Sequence, residues 1–586
     1  SKMAPIENVS DGWSRWQIAL AVGAPVCLGL AGLWLMRRRS QRASEVKNKA
    51  VEDVENSAKP KPEVAEKEPL EKAQSHKNKG NKYFKGGKYD QAIDCYTKAI
   101  EVCPDINKQE ISTFYQNRAA AYEQLKSFSS VVEDCTKAIE LNNRYIKALF
   151  RRAKANEHIG NLSTCLEDCT AVCILESFQN QTSLVMADRV LKQLGRVKAK
   201  EAYNSREPVL PAKHFIRIYF SAFANDPIIS MLNKDKNKAH NTSTEDIVIE
   251  GPSDDSEPEK DRDETPEKLQ GNTPFDEVKR CLGKEEYSNI IRLCTEEYQA
   301  SQNPEALLVK ATFHLLQGQG HTAIADFDKL LEMDNLDKRI KSNALIKRGS
   351  LKLQQTKEAE AIEDFKKAVE VDPENSDIYH HRGQLNLLLD KMDDAVKDFE
   401  HACELSPGFA VAEAQRIYTK YRNAMRTMMA PTSIQEVMAQ FEKLLERFPE
   451  CSEIYTLYGQ TLSEQQNFEK ADDLFVRALK VDPENANCFV HRGLLLLQWK
   501  QDIEGAAKLI EQALKVDDKC EFAYETLGTL EVQRGHLDRA IELFNKAIRL
   551  SKTEIEMAHL FSLLEAAVAQ HSVAEKLNVK LPEGMV

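Results

Sequence analysis

The chain has 586 residues, more than one ordinary hydrophobic core organises, so several cores or an extended array are required. Charged residues make up 29% and aromatics 7%, and Ala, Leu, Glu and Lys abound, which favours helices over sheets. The formal net charge of -12 argues against a nucleic-acid binder, which carries a basic stripe with stacking aromatics, and suits basic ligands better.

Residues 1–15 form a short polar tail before "WQIALAVGAPVCLGLAGLWLM", Trp16 to Met36, a run without a charge. At about 1.5 Å per residue it spans roughly 30 Å, the hydrocarbon thickness of a bilayer. Trp16 and Trp34 suit the membrane interface, and Arg37 to Arg42 follow at once, so the basic side is expected to stay cytosolic. A cleaved secretory signal has its charge before the apolar run, whereas the stronger cluster here lies behind it. Residues 16–36 are therefore expected to be a single transmembrane anchor, and residues 37–71, basic and then mixed in charge with several prolines, a tether.

The next stretch repeats. "NKGNKYFKGGKYDQAIDCYTKAIEVCP" is matched by "HHRGQLNLLLDKMDDAVKDFEHACELSP" and "TLGTLEVQRGHLDRAIELFNKAIRL". Each places a small residue in a first helix, an Ala twelve later, an aromatic four after that and an Ala three further on. The sets are Gly80, Ala92, Tyr96, Ala99; Gly383, Ala395, Phe399, Ala402; and Gly528, Ala540, Phe544, Ala547. Pro104, Pro373, Pro407 and Pro483 end units. The pattern resembles the tetratricopeptide repeat, in which paired helices cross closely at the small residue and the aromatic fills the gap. The expected fold class is all-α, a tetratricopeptide superhelix of about eleven helix pairs in two arrays behind one transmembrane helix.

In that phase, residues 72–179 hold three units, and residues 180–233 are helical but off-pattern, a connector. Residues 234–274, with "EGPSDDSEPEKDRDETPEK", are too acidic and proline-rich to bury anything and read as a linker. Residues 275–554 hold roughly eight more units, one stretched by "TMMAPTS", and residues 555–586 supply a capping helix and tail. Thirteen cysteines show no paired C-x-x-C knuckles. Cys95, Cys135, Cys165 and Cys169 fall on apolar helix faces, as small core residues do, and no metal site or cofactor is expected.

"YIKALFRRAKAN", residues 145 to 156, puts Lys147 and Arg151 on one helix face, where like charges cost a few tenths of a kcal/mol. Lys77 and Asn81 of the first unit and Asn117 of the second are expected to share their groove. The set resembles the carboxylate clamp of tetratricopeptide co-chaperones. That likeness implies that these five residues hold the C-terminal Glu-Glu-Val-Asp tails of the seventy- and ninety-kilodalton heat-shock chaperones, and that the like-charge cost is offset when the ligand docks. Charge-assisted bonds of about 1.5 to 3 kcal/mol suit a chain end bearing two carboxylates.

"NKGNKYFK", "STFYQNRAAAYEQL", "KALFRRAKA", "TAVCILE", "NALIKRGS", "YHHRGQL", "LLQWKQD", "FAYETLGTLEVQRG" and "MAHLFSL" follow in order along nearly the whole chain. Together they resemble the family of seventy-kilodalton receptors of the mitochondrial outer-membrane protein-import machinery. The resemblance implies a single-pass outer-membrane receptor, with residues 1–15 in the intermembrane space and the bulk of the chain in the cytosol. It implies docking of chaperones on the clamp, binding of precursors, notably multi-spanning carriers, and transfer to the translocation pore beside other translocase subunits. The C-terminal array is then the precursor site. Its inward positions include Asn343, Lys347, His380, His381, Gln384, Thr456, Gln460, His491, Leu494, Thr526 and Gln533, a mixed lining able to hold an amphipathic segment. His380 and His381, adjacent on a helix, are expected to splay apart.

An enzyme is disfavoured, because the repeats cover almost all ordered sequence. No G-x-x-x-x-G-K loop, H-E-x-x-H, G-x-S-x-G elbow or dinucleotide glycine fingerprint occurs. The alternative within the same fold is a co-chaperone scaffold tethered to another membrane, which captures chaperones and hands on no precursor.

Overall fold

The computed structural model describes residues 69–232, 273–427 and 431–579. The expected membrane run Trp16–Met36, most of the tether and almost all of the acidic linker lie outside these. Among the described residues no helix is long and apolar enough to cross a membrane. The described residues are helical throughout, without a strand.

By contacts the described residues fall into two compact units, one within residues 207–523 and the other made of residues 69–206 together with 524–579. In the latter, α1 (Pro69–Lys85) pairs with α2 (Tyr89–Val102), α3 (Lys108–Gln124) with α4 (Phe128–Leu141), and α5 (Ile146–Ile159) with α6 (Leu162–Leu175). Helix α5 stops at Gly160, whose φ of 91 carries the chain out of the helix while its N–H bonds the Asn156 carbonyl at 2.9 Å. The long α7 (Gln181–Ser205) follows, N-capped by the Asn180 side chain.

In the other unit, α8 (Lys213–Ser221) and a short helical turn at 227–232 precede a run of pairs. These are α9 (Pro274–Gly283) with α10 (Ile290–Ser301), α11 (Pro304–Leu316) with α12 (Gly320–Leu331), and α13 (Lys338–Gln354) with α14 (Glu358–Val371). They continue as α15 (Ser376–Leu388) with α16 (Met392–Leu405), α17 (Ala410–Arg426) with α18 (Pro431–Arg447), α19 (Ser452–Glu464) with α20 (Phe468–Val481), and α21 (Ala486–Lys500) with α22 (Ile503–Val516). The boundary falls within α23 (Glu521–Gln533), which precedes α24 (Leu537–Leu550) and α25 (Glu554–Leu577).

The close crossing expected inside each pair is present. A Cβ added at Gly80 would lie 2.7 Å from Cε1 of Tyr96, at Gly383 2.9 Å from Phe399, and at Gly528 2.7 Å from Phe544. The aromatic ring occupies the space that any side chain would need, so packing selects Gly at these positions. A second device is not evident from hydropathy. Arg118, Arg152, Arg348 and Arg382 on first helices each grip an Asp sixteen residues later on the partner helix, Asp134, Asp168, Asp364 and Asp398, through paired bonds of 2.6 to 2.9 Å. Such bidentate pairs fix the register of one helix on the other through geometry more than through net stability.

The C-terminal helix α25 starts on a capping box formed by Thr553 and Glu556. It packs on α7, α6 and α24, burying Met557, Leu560 and Leu564 with Ala199, Ala540 and Phe544. Its last turn is tied to the loop before α5, where Asn143 and Arg144 donate to the carbonyls of Lys576 and Leu577, each at 3.1 Å. Cys95, Cys135, Cys165 and Cys169 are buried in this unit.

Candidate functional site

Lys77 and Asn81 lie on α1, Asn117 on α3, and Lys147 and Arg151 on α5, the first helices of three successive pairs. Lys147 is exposed and the other four are half-buried. Tyr96 donates its hydroxyl to Asn81 Oδ1 at 2.8 Å. Burial pushes the Tyr96 phenol up to about 12, so it stays a donor and leaves the Asn81 amide nitrogen to face solvent as a donor. Among the described residues the side chains of Lys77, Asn117 and Lys147 have no hydrogen-bond or ion-pair partner.

Arg151 differs. Its Nε donates to Glu123 Oε2 at 2.7 Å, and a terminal nitrogen reaches the Gln116 carbonyl at 3.4 Å. The like-charge cost between Lys147 and Arg151 is thus already offset inside the fold, so the pair of cations does not by itself demand an anionic ligand. Gln116, buried beneath, accepts from the Tyr145 hydroxyl at 3.2 Å, which links α3 to α5 at the same level. Glu123 and Gln116 were not singled out from the sequence, since their roles arise only when two pairs stack.

The second set sits differently from expectation. Asn343 and Lys347 on α13, His380, His381 and Gln384 on α15, Thr456 and Gln460 on α19, and His491 and Leu494 on α21 are all buried, with Lys347 only 1% exposed. Around Asn343, Lys347 and His381 the inner surface is not open, because residues 213–232 pack against it. Tyr219, Phe220 and Phe223 surround the Lys347 ammonium at 5.2 to 5.9 Å, and Asp226 pairs with it at 2.9 Å. Asn343 donates to Asp226 Oδ2 at 3.2 Å. Asp377, also missed from sequence, accepts the backbone N–H groups of Ala224 and Asn225 at 2.6 and 3.0 Å. Thr526 and Gln533 on α23 fall in the other unit, Thr526 buried and Gln533 half-buried.

Electrostatics follow burial. Desolvation lowers Lys347 and the Asp226 carboxylate raises it, leaving it below its ordinary value. Burial pushes Asp377 up to about 7, against the pull of its two backbone donors. His380 is held well below 6.5 by burial, and burial brings His381 down to about 4. The expectation that these two histidines splay apart needs correction, since their rings meet edge-to-face with centroids 4.9 Å apart. Gln384 joins them, bonding His381 Nδ1 at 3.0 Å and His380 Nε2 at 3.2 Å before reaching Gln415 at 3.0 Å. Gln460 and His491 form a separate pair at 3.0 Å, and Thr456 bonds its own helix at the Ser452 carbonyl.

Three tetratricopeptide repeat models match residues 73–106, residues 346–408 and 499–555, and residues 452–485. The mitochondrial import receptor subunit TOM70 of Homo sapiens is 46% identical over 97% of this chain and 94% of that protein. The chain belongs to the TOM70 family of mitochondrial import receptor subunits. TOM70 of Saccharomyces cerevisiae is 25% identical over 85% of this chain and 80% of its own length. The crystal structure of the yeast Tom70 aligns over 86% of this chain and 99% of that chain, at 24% identity and a TM-score of 0.46. The tetratricopeptide repeats and the receptor family expected from the sequence are both found, the expected transmembrane helix lies outside the described residues, and membership of the TOM70 family makes this chain a receptor subunit of import.

Proposed function

We propose that this receptor docks cytosolic chaperones on α1, α3 and α5 through the Glu-Glu-Val-Asp ends of the seventy- and ninety-kilodalton heat-shock proteins. Lys77, Asn81, Asn117, Lys147 and Arg151 form the clamp, and residues 72–179 are the chaperone-docking domain. The observation that carries this reading is that Lys77, Asn117 and Lys147 offer donors with no partner among the described residues, beside an Arg151 held in place by Glu123. Residues 16–36 anchor the chain in the mitochondrial outer membrane, with residues 1–15 behind the bilayer and the repeats in the cytosol. The repeats after the acidic linker, residues 275–554, receive precursors, notably multi-spanning carriers, for transfer to the translocation pore through other translocase subunits.

Calorimetric titration of residues 60–586 with an octapeptide ending in Glu-Glu-Val-Asp tests the clamp. Binding is expected to vanish with a C-terminally amidated peptide and with Arg151→Ala. Equal binding in all three cases would reject the clamp. The rival reading, a membrane-tethered scaffold that hands on no precursor, draws on the filled interior around Lys347. A carrier precursor that cross-links to residues 343–494 decides against it.

A further inference from the structure

Resting on the reading of the 275–554 repeats as the precursor site, we propose that residues 213–232 are a built-in ligand of that groove, and that a precursor enters by replacing them with a segment of the same chemistry. The ligand class is an amphipathic helix of two to three turns with an aromatic and aliphatic face, followed by an acidic side chain.

The observations that support this concern one short segment. Helix α8 is off the repeat pattern and belongs to no pair, yet Ile216, Tyr219 and Phe220 recur on one face, Phe223 follows just past its end, and all four are buried. Beyond it Ile228 and Met231 are buried as well. The positions the segment meets through Asp226 and Phe223, namely Asn343, Lys347 and His381, are those that repeat phase assigns to the inner surface. Segments of an array's own pairs pack through the Gly, Ala and aromatic positions described above, whereas this segment is held as a bound peptide would be. Its backbone N–H groups at Ala224 and Asn225 dock on the Asp377 carboxylate, and its Asp226 reaches a single buried cation. Rim contacts hold its N-terminal end, His214 with Asp482 at 2.8 Å and Arg217 with Glu285 at 2.8 Å.

A tethered ligand competes through its effective concentration, which reaches the millimolar range for short flexible connections. The apparent affinity for an incoming helix is reduced by the fraction of molecules whose groove is open, so loosening the segment tightens capture in proportion. The anchor also sets selectivity. A helix with apolar residues alone would leave the Lys347 ammonium buried without its carboxylate, a heavy penalty, so an acidic residue after the apolar face is required.

The test uses the full chain in detergent and two variants confined to the segment. Phe220→Ser with Phe223→Ser weakens the apolar face, and Asp226→Asn weakens the anchor without removing apolar surface. The probe is a fluorescent synthetic peptide of residues 213–232, with circular-dichroism melting run alongside. Both variants are expected to melt cooperatively and to bind the peptide at least tenfold more tightly than the parent, and a carrier precursor should compete with it. No gain in peptide binding in either variant, or loss of the helical signal in both, would overturn the proposal and make the segment a fixed part of the core. Peptide binding that rises while carrier capture is neither increased nor competed would instead overturn the precursor reading of this groove, and with it the replacement step.

Discussion

In the proposed clamp Glu123, already paired with Arg151, shares its guanidinium with the peptide, and removing the Glu123 charge should therefore tighten binding. A peptide carboxylate bonded to Arg151 would sit about 5 Å from the Glu123 carboxylate, with the guanidinium between them. At an effective dielectric of roughly 40, fitting a half-exposed site, the repulsion is about 1.7 kcal/mol, and salt near 0.15 M screens it to about 1 kcal/mol. Arg151 and Glu123 keep 21% and 28% of their side-chain surface exposed, so this screening applies to both. Glu123→Gln retains the size of the side chain and an oxygen able to accept from Arg151 Nε. Its titration with the Glu-Glu-Val-Asp octapeptide should give a Kd about fivefold lower than the parent, with the gain growing at low ionic strength. A weaker complex, or one unchanged at low salt, would refute competition and show that Glu123 serves to aim the guanidinium at the ligand.

Two further perturbations test the packing and the buried histidines. A Cβ at Gly195 would fall 2.4 Å from the Ala558 backbone carbonyl and 2.3 Å from Ser562 Oγ, so Gly195→Ala must push α7 from α25. Overpacking of about 2 to 3 kcal/mol, less about 1 kcal/mol of helix propensity, leaves an expected net loss of about 1 to 2 kcal/mol in urea unfolding, and an unchanged or raised midpoint would contradict that crossing. His381, at about 4 when folded and near 6.5 when unfolded, takes up its proton first in the unfolded chain, so its contribution is lost as pH falls through that window. His380, Lys347 and Asp377 titrate around it in parent and variant alike. The stability advantage of the parent over His381→Gln should therefore shrink by about 2 kcal/mol between pH 6.5 and 5, and a constant difference would refute a neutral buried imidazole.

The repeats were legible in the sequence because each crossing leaves a local signature, a small residue and an aromatic sixteen apart, as in Gly80 with Tyr96. The same locality made the sixteen-residue Arg to Asp spacing readable in principle, at Arg118 and Asp134 for example, though hydropathy hides it. Residues joined across repeats left no such mark. Arg151 and Glu123 are 28 residues apart and meet only after two pairs stack. The apolar face of α8 was visible as Phe215, Ile216, Tyr219, Phe220 and Phe223, but its destination beside Lys347, more than a hundred residues onward, depends on tertiary packing alone. Assigning inward positions to an open groove therefore failed where another part of the chain had already taken the space. The division of the last repeat from the others escaped notice for a similar reason, since periodicity continues unbroken through Thr526 and Gln533.

The packing of α25 against α7 and α6 has a consequence for synthesis. Residues 69–206 leave the ribosome well before the helix that covers Ala199 and Leu194 and ties down the loop at Arg144 is made. About 350 residues must be translated in between, which takes roughly half a minute at ~10 residues per second. Throughout that interval the nascent chain carries an uncovered apolar stripe on α7, a surface that holding factors recognise. A message truncated before Glu554 would leave it uncovered for good.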